Sequence, residues 1–152
     1  MSENYIEDFM KEAINLASSA YLINEVPVGA LVVKDGEIVG RGHNTVIKDL
    51  SVSCHAEINA INEASFNLEN YRLTGCDIYV SLEPCHMCAK AIVDARIKGL
   101  YFGAYEPKSG AIESIDKFYE RDDLNHKVYS SGGHMEEQCA LLLKDFFQLR
   151  RS

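Results

Sequence analysis

Two short motifs, Cys54-His55-Ala56-Glu57 and Pro84-Cys85-His86-Met87-Cys88, constrain this chain more than anything else in it. A fold that uses them has to bring one histidine nitrogen and two thiolates to a common point. His55, Cys85 and Cys88 are ligands suited to Zn²⁺, and three protein ligands leave a tetrahedral ion one open position for water or substrate. A closed structural site shows four ligands in two close pairs, whereas here the single pair Cys85 and Cys88 is matched by His55 alone. Glu57, two residues beyond His55, is expected to face the open position and move protons rather than bind metal. A helix N-terminus would favour a glutamate there in any case. That explains Glu57 taken alone but not its place beside both motifs.

With 152 residues and 47% hydrophobic content, the chain is expected to form a single domain over 1–152 with a full core. No run of about 18 apolar residues is present to cross a membrane, and the start Met1-Ser2-Glu3-Asn4-Tyr5 lacks the basic and apolar segments of a signal peptide. A cytoplasmic location is the expectation. The five cysteines then read as two ligands plus three thiols, Cys54, Cys76 and Cys139, rather than as a disulfide framework. The net charge of −8 argues against a large polyanionic partner unless positive charge is concentrated locally.

Apolar residues at helical spacing predict a helix over Tyr5–Leu22, with Asn4 and Glu7 close to a capping box. Val28–Val33 and Glu37–Arg41 read as strands of a hairpin turning at Asp35-Gly36, with His43 and Asn44 closing the second. Residues 42–53 read as a loop approaching the site. A helix then carries His55 and Glu57 in its first turn until Asn67–Gly75 breaks the pattern. Asp77–Ser81 is a third strand, and Pro84 stands at the expected start of a helix continuing through Ala95. Cys85 and Cys88, three apart, project from one side of that helix, whose N-terminus favours thiolate. A fourth strand is expected at Leu100–Gly103, a short helix at Ile112–Arg121, a fifth strand at Val128–Ser130 and a last helix over Met135–Arg150. The inner face of that helix would be Cys139, Ala140, Leu143, Phe146 and Phe147. Alternating strands and helices imply a layered α/β domain, mostly parallel after the hairpin.

The other histidines and cysteines are weaker candidates. His86 falls about 100° around the helix from Cys85 and points away from the pair. Cys54 shares its backbone with His55 and is directed elsewhere, while Cys76 and Cys139 suit a core. His126 and His134 fall on loops, and His43 either lines the pocket or serves the fold.

His-x-Glu followed by Pro-Cys-x-x-Cys is the signature of zinc nucleobase deaminases. The chain resembles the cytidine deaminase-like superfamily and, within it, the bacterial tRNA adenosine deaminases. The resemblance runs nearly end to end, through Asn24-Glu25-Val26-Pro27-Val28-Gly29-Ala30, His55-Ala56-Glu57-Ile58, Asn70-Tyr71-Arg72-Leu73, Leu82-Glu83-Pro84-Cys85, Phe102-Gly103-Ala104, Pro107-Lys108-Ser109-Gly110-Ala111 and Asp145-Phe146-Phe147. It implies a three-layer α/β/α fold with a five-stranded mixed sheet, one Zn²⁺ per chain, a homodimer, and hydrolysis of adenosine to inosine at the wobble position of a tRNA anticodon stem-loop. It also implies that Asn44 hydrogen-bonds the target base with the Ala56 N–H assisting, and that Val28 walls the base. Lys108 would meet the anticodon backbone, with Glu106 beside it where this branch commonly has aspartate. Phe146, Phe147, Arg150 and Arg151 would shape a groove for flanking nucleotides. The motif itself also fits a deaminase of a free base such as cytosine or guanine.

Overall fold

The computed structural model describes residues 3–151, with side chains from 5 to 150. The Asn4 side chain of the expected capping box and that of Arg151 lie outside the described residues. Helix α1 (Glu3–Leu22) leads into strands β1 (Gly29–Lys34) and β2 (Glu37–His43), which turn at Asp35 and Gly36, both at positive φ. Helix α2 (Ala56–Leu68), strand β3 (Cys76–Leu82), helix α3 (His86–Asp94) and strand β4 (Gly99–Ala104) follow, then β5 (Tyr129–Ser131) and α4 (Glu136–Arg151). The sheet order is β2-β1-β3-β4-β5, with β1 antiparallel to both neighbours and β3, β4 and β5 parallel.

Period-two alternation divides the strands between two cores. Ala30, Val32, Ile78 and Val80 pack with Ala60 and Ala64 of α2 and Ala89 and Ile92 of α3. Leu31, Val33 and Tyr79 pack on the other face with Met10 and Ala13 of α1 and Cys139 of α4. The result is the expected α/β/α sandwich. Helix α2 lies unusually close to β2: a Cβ on Gly40 would meet the Ala60 carbonyl at 2.4 Å, and one on Gly42 the Ala56 carbonyl at 2.5 Å. Glycines under an alanine stripe therefore pin the start of α2 to the sheet.

Three expectations are corrected. Residues 112–121 do not form a helix: they run as turns with a single 3₁₀ turn at Phe118–Glu120. The reason is a long-range competitor, because the Glu83 carboxylate takes the amides of Ile112, Glu113 and Ser114. Pro84 precedes the cap of α3 rather than opening the helix, since Cys85 is the N-cap. On α4, Ala140 and Phe147 face solvent, and among its described side chains Cys139 and Phe146 are buried and Leu142 and Leu143 half-buried. The helix touches β3, β4 and α1 along a strip narrower than its apolar face.

Candidate active site

The sheet places the starts of α2 and α3 side by side, so the two motifs meet. His55 and Cys85 are the N-caps of their helices, both extended in backbone (φ −72° and −77°), and neither side chain caps its own helix. Each is turned toward the other instead. His55 Nδ1 lies 3.7 Å from Cys85 Sγ and 3.5 Å from Cys88 Sγ, and the three donor atoms fall within 4.8 Å of one another. Tetrahedral bonds of ~2.0 Å to nitrogen and ~2.3 Å to sulfur put N and S about 3.5 Å apart, so this donor set fits Zn²⁺.

Glu57 is 4% exposed in the first turn of α2. Burial raises its carboxyl to about 7, against opposing effects from its backbone amide and His55. The Cys88 thiol holds Cys85 down at about 3 by hydrogen bonding, with His55 reinforcing this, while burial opposes it. Cys88 is pushed up by the same bond and by burial, and the bond to Cys85 raises His55. The direction at Cys85 favours the thiolate that a metal ligand needs. His86 turns away to Asp116, with Nε2 2.8 Å from its Oδ2. Cys54 is half-buried and outside the donor cluster.

A cavity of about 200 Å³ opens on these groups, lined by His55, Glu57, Cys85, Asn44 and Val28 together with Val26, Leu82, Glu83 and Ser109. Asn44 is anchored, because the Ala56 N–H donates to its Oδ1 at 2.7 Å. Through that bond the Ala56 amide orients the Asn44 side chain. A second depression of about 330 Å³ shares Val26, Asn44 and His55 with the first and is lined further by Ile47, Phe146, Phe147 and Arg150. The Arg150 guanidinium sits 4.7 Å over the Phe146 ring and donates to the Asn24 carbonyl. A third, of about 530 Å³, shares Phe147 and is lined by Glu106, Lys108, Lys144 and Gln148. The Glu106 carboxylate accepts the Lys108 N–H at 2.9 Å.

The structure thus joins twelve of the thirteen expected residues into one centre and two adjoining depressions, Ala56 acting through Asn44 and Arg151 lying outside the described side chains. Sequence reasoning missed Val26, Ile47, Glu83, Ser109 and Lys144. Glu83 alone carried a signal, a carboxylate set directly before Pro84-Cys85.

A three-layer α/β/α sandwich with a His-Cys-Cys donor set and a buried glutamate at the starts of two neighbouring helices defines a deaminase-like protein. The family model for the cytidine and deoxycytidylate deaminase zinc-binding region matches residues 3–104. The tRNA-specific adenosine deaminase of Haemophilus influenzae is 43% identical over 146 residues, covering 95% of this chain and 84% of its own. A structure from studies of A-to-I editing by tRNA:A34 deaminases at the wobble position of transfer RNA superposes with a TM-score of 0.86 at 42% identity, covering 89% of this chain and 98% of its own. The guanine deaminase of Bacillus subtilis is more distant, with a TM-score of 0.64 at 31% identity over 100% of this chain and 96% of its own. The chain belongs to the tRNA-specific adenosine deaminases of the cytidine and deoxycytidylate deaminase family.

Proposed function

We propose that this protein hydrolytically deaminates adenosine to inosine at the wobble position of a tRNA anticodon. The observation that carries the reaction class is the buried Glu57 carboxylate beside the converging His55, Cys85 and Cys88 donors. The substrate rests on the relatives and on the exposed Lys108 and Arg150 beside the cavity.

One Zn²⁺ held by His55, Cys85 and Cys88 would lower the pKa of a water toward ~7 and so supply a nucleophile at neutral pH. Glu57, buried beside the donor set and lining the cavity, is placed to move protons between the water and the base. It takes a proton from the attacking water, delivers it to a ring nitrogen as C6 becomes tetrahedral, and carries a second to the amino group, which leaves as ammonia. The Ala56 N–H fixes the Asn44 carbonyl, which leaves the Asn44 amide NH₂ as the donor offered to the base, and Val28 packs on the ring face. A cavity of about 200 Å³ suits a single base rather than a larger ligand. Anticodon bases are unpaired, so splaying one into this cavity costs less than flipping it from a duplex. Phe146, Phe147, Arg150 and Arg151 would receive the flanking nucleotides, and Lys108, beside Glu106, the backbone.

We further infer a cytoplasmic homodimer. The exposed apolar residues Leu50 and Val52 of one loop support burial against a second copy, and no described helix is long and apolar enough to cross a membrane.

The test is incubation of purified protein with an anticodon stem-loop carrying wobble adenosine and, separately, with free cytosine, guanine and adenine. Inosine at the wobble position, with the free bases unchanged, is the expected result. Deamination of free cytosine or guanine with the stem-loop untouched would replace this reading with a free-base deaminase, the class that the acidic charge of −8 favours.

A further inference from the structure

We propose that Glu83 is a positioning residue for the reaction, its carboxylate fixing the 106–114 loop as one wall of the substrate cavity. This rests on the function proposed above. Glu83 is 2% exposed, and a carboxylate so buried is costly unless hydrogen bonds replace its water. Among the described residues no lysine or arginine pairs with it. Five donors do so instead: the Glu106 N–H at 3.0 Å and the Ser114 hydroxyl on Oε1, and the N–H groups of Ile112 (3.0 Å), Glu113 (2.8 Å) and Ser114 (3.0 Å) on Oε2. Four of the five belong to the backbone, so Glu83 dictates the path of the loop whatever its side chains are.

Neighbouring contacts act in the same direction. The Glu83 N–H donates to the Ala104 carbonyl at 2.8 Å, and the Ala111 N–H to the Pro84 carbonyl at 2.9 Å. Gly110 closes over the carboxylate, and a Cβ there would lie 2.4 Å from it. The loop held this way contributes Ser109 to the catalytic cavity, which Glu83 also lines, and Lys108 to the adjoining depression. Because Pro84 and Cys85 follow Glu83 directly, one carboxylate registers this wall against the start of α3. Glu57 and the donor set lie on α2, α3 and their N-caps and not on the loop, so disturbing the clamp should affect how substrate is held more than the chemical step.

The test compares zinc-loaded full-length wild type with Glu83→Gln, in which an NH₂ group replaces one acceptor and opposes the donors. Zinc content should be unchanged and exchange in β3 and α2 unaltered. Amide hydrogen exchange at Glu106 and at residues 112–114 should accelerate by about tenfold. The KM for the stem-loop should rise by about tenfold while kcat stays within about twofold. Ser114→Ala, which removes the hydroxyl donor and keeps the carboxylate, should raise KM by about two- to threefold, with faster exchange confined to 112–114. Unchanged exchange in the loop, loss of zinc, or a fall in kcat at constant KM would overturn the proposal. Should Glu83→Gln not fold, a Ser114→Ala protein with wild-type exchange and KM overturns it equally. If wild type leaves the stem-loop untouched, the proposed function fails, and the exchange comparison still decides whether Glu83 fixes the loop.

Discussion

The centre formed by His55, Glu57, Cys85 and Cys88 and the rim formed by Lys108, Phe147 and Arg150 are held in different ways. The centre sits on two helix starts pressed onto the sheet, with Glu57 and Cys88 buried and the donor atoms facing one another. The rim is exposed: Lys108 is on a loop, Phe147 is 46% exposed, and among the described residues Arg150 is held by the Phe146 ring and the Asn24 carbonyl. Bond-making requires atoms held to fractions of an ångström, whereas attraction to phosphates acts through solvent and tolerates mobile charges. Damage to the centre should therefore appear in turnover, and damage to the rim in affinity and its salt dependence.

Four experiments test that division. The largest effect is expected for Cys88→Ala, which should abolish metal binding and activity together. Metal analysis by mass spectrometry checks this, and full zinc retention would show the donor set to be wrong. Next, Glu57→Ala should keep zinc and substrate binding while turnover falls by at least ~10²–10⁴-fold. Wild-type turnover in that variant would remove Glu57 from the proton path.

On the rim, neutralising Lys108, Arg150 and Arg151 together should weaken RNA binding and leave zinc untouched, with the log–log salt slope falling by about 0.7 per lost contact. Lys108→Gln is the cleaner single probe, since Arg150 also holds Asn24 and Phe146. The smallest effect concerns proton linkage at Glu57 in metal-free protein. Its folded pKa of about 7 exceeds the ordinary 4.5, so the folded state holds the extra proton between these values. The wild type should therefore lose stability relative to Glu57→Gln as pH rises from 4.5 through about 7, measured by urea unfolding of both proteins across that range.

The centre was legible in sequence because its information is local. A three-residue step on one helix, a cap on another and the glutamate two residues on define the donors before any tertiary contact is known. The layered fold was legible for a similar reason, since Ala30, Leu31, Val32 and Val33 form the continuous apolar run of a strand buried on both faces. What could not be read depends on distant partners. Residues 112–114 have a plausible helical pattern, but a carboxylate about thirty positions earlier takes their amides. The Ala56 amide is taken by Asn44, twelve positions away. Phe147 satisfies the apolar period of α4, yet only the packed strip of that helix decides which of its apolar residues reach the core. Val26, Ile47 and Ser109 stand in no spacing that marks a site and join the cavity walls through the path of the backbone.

Single-turnover deamination of the stem-loop, followed as a function of enzyme concentration, tests the division between centre and rim most directly. For the Lys108, Arg150 and Arg151 variant, the wild-type plateau rate is expected, reached at higher enzyme concentration. For Glu57→Ala, a plateau lowered by at least ~10²-fold is expected at an unshifted midpoint. A rim variant with a lowered plateau and an unshifted midpoint would contradict that division.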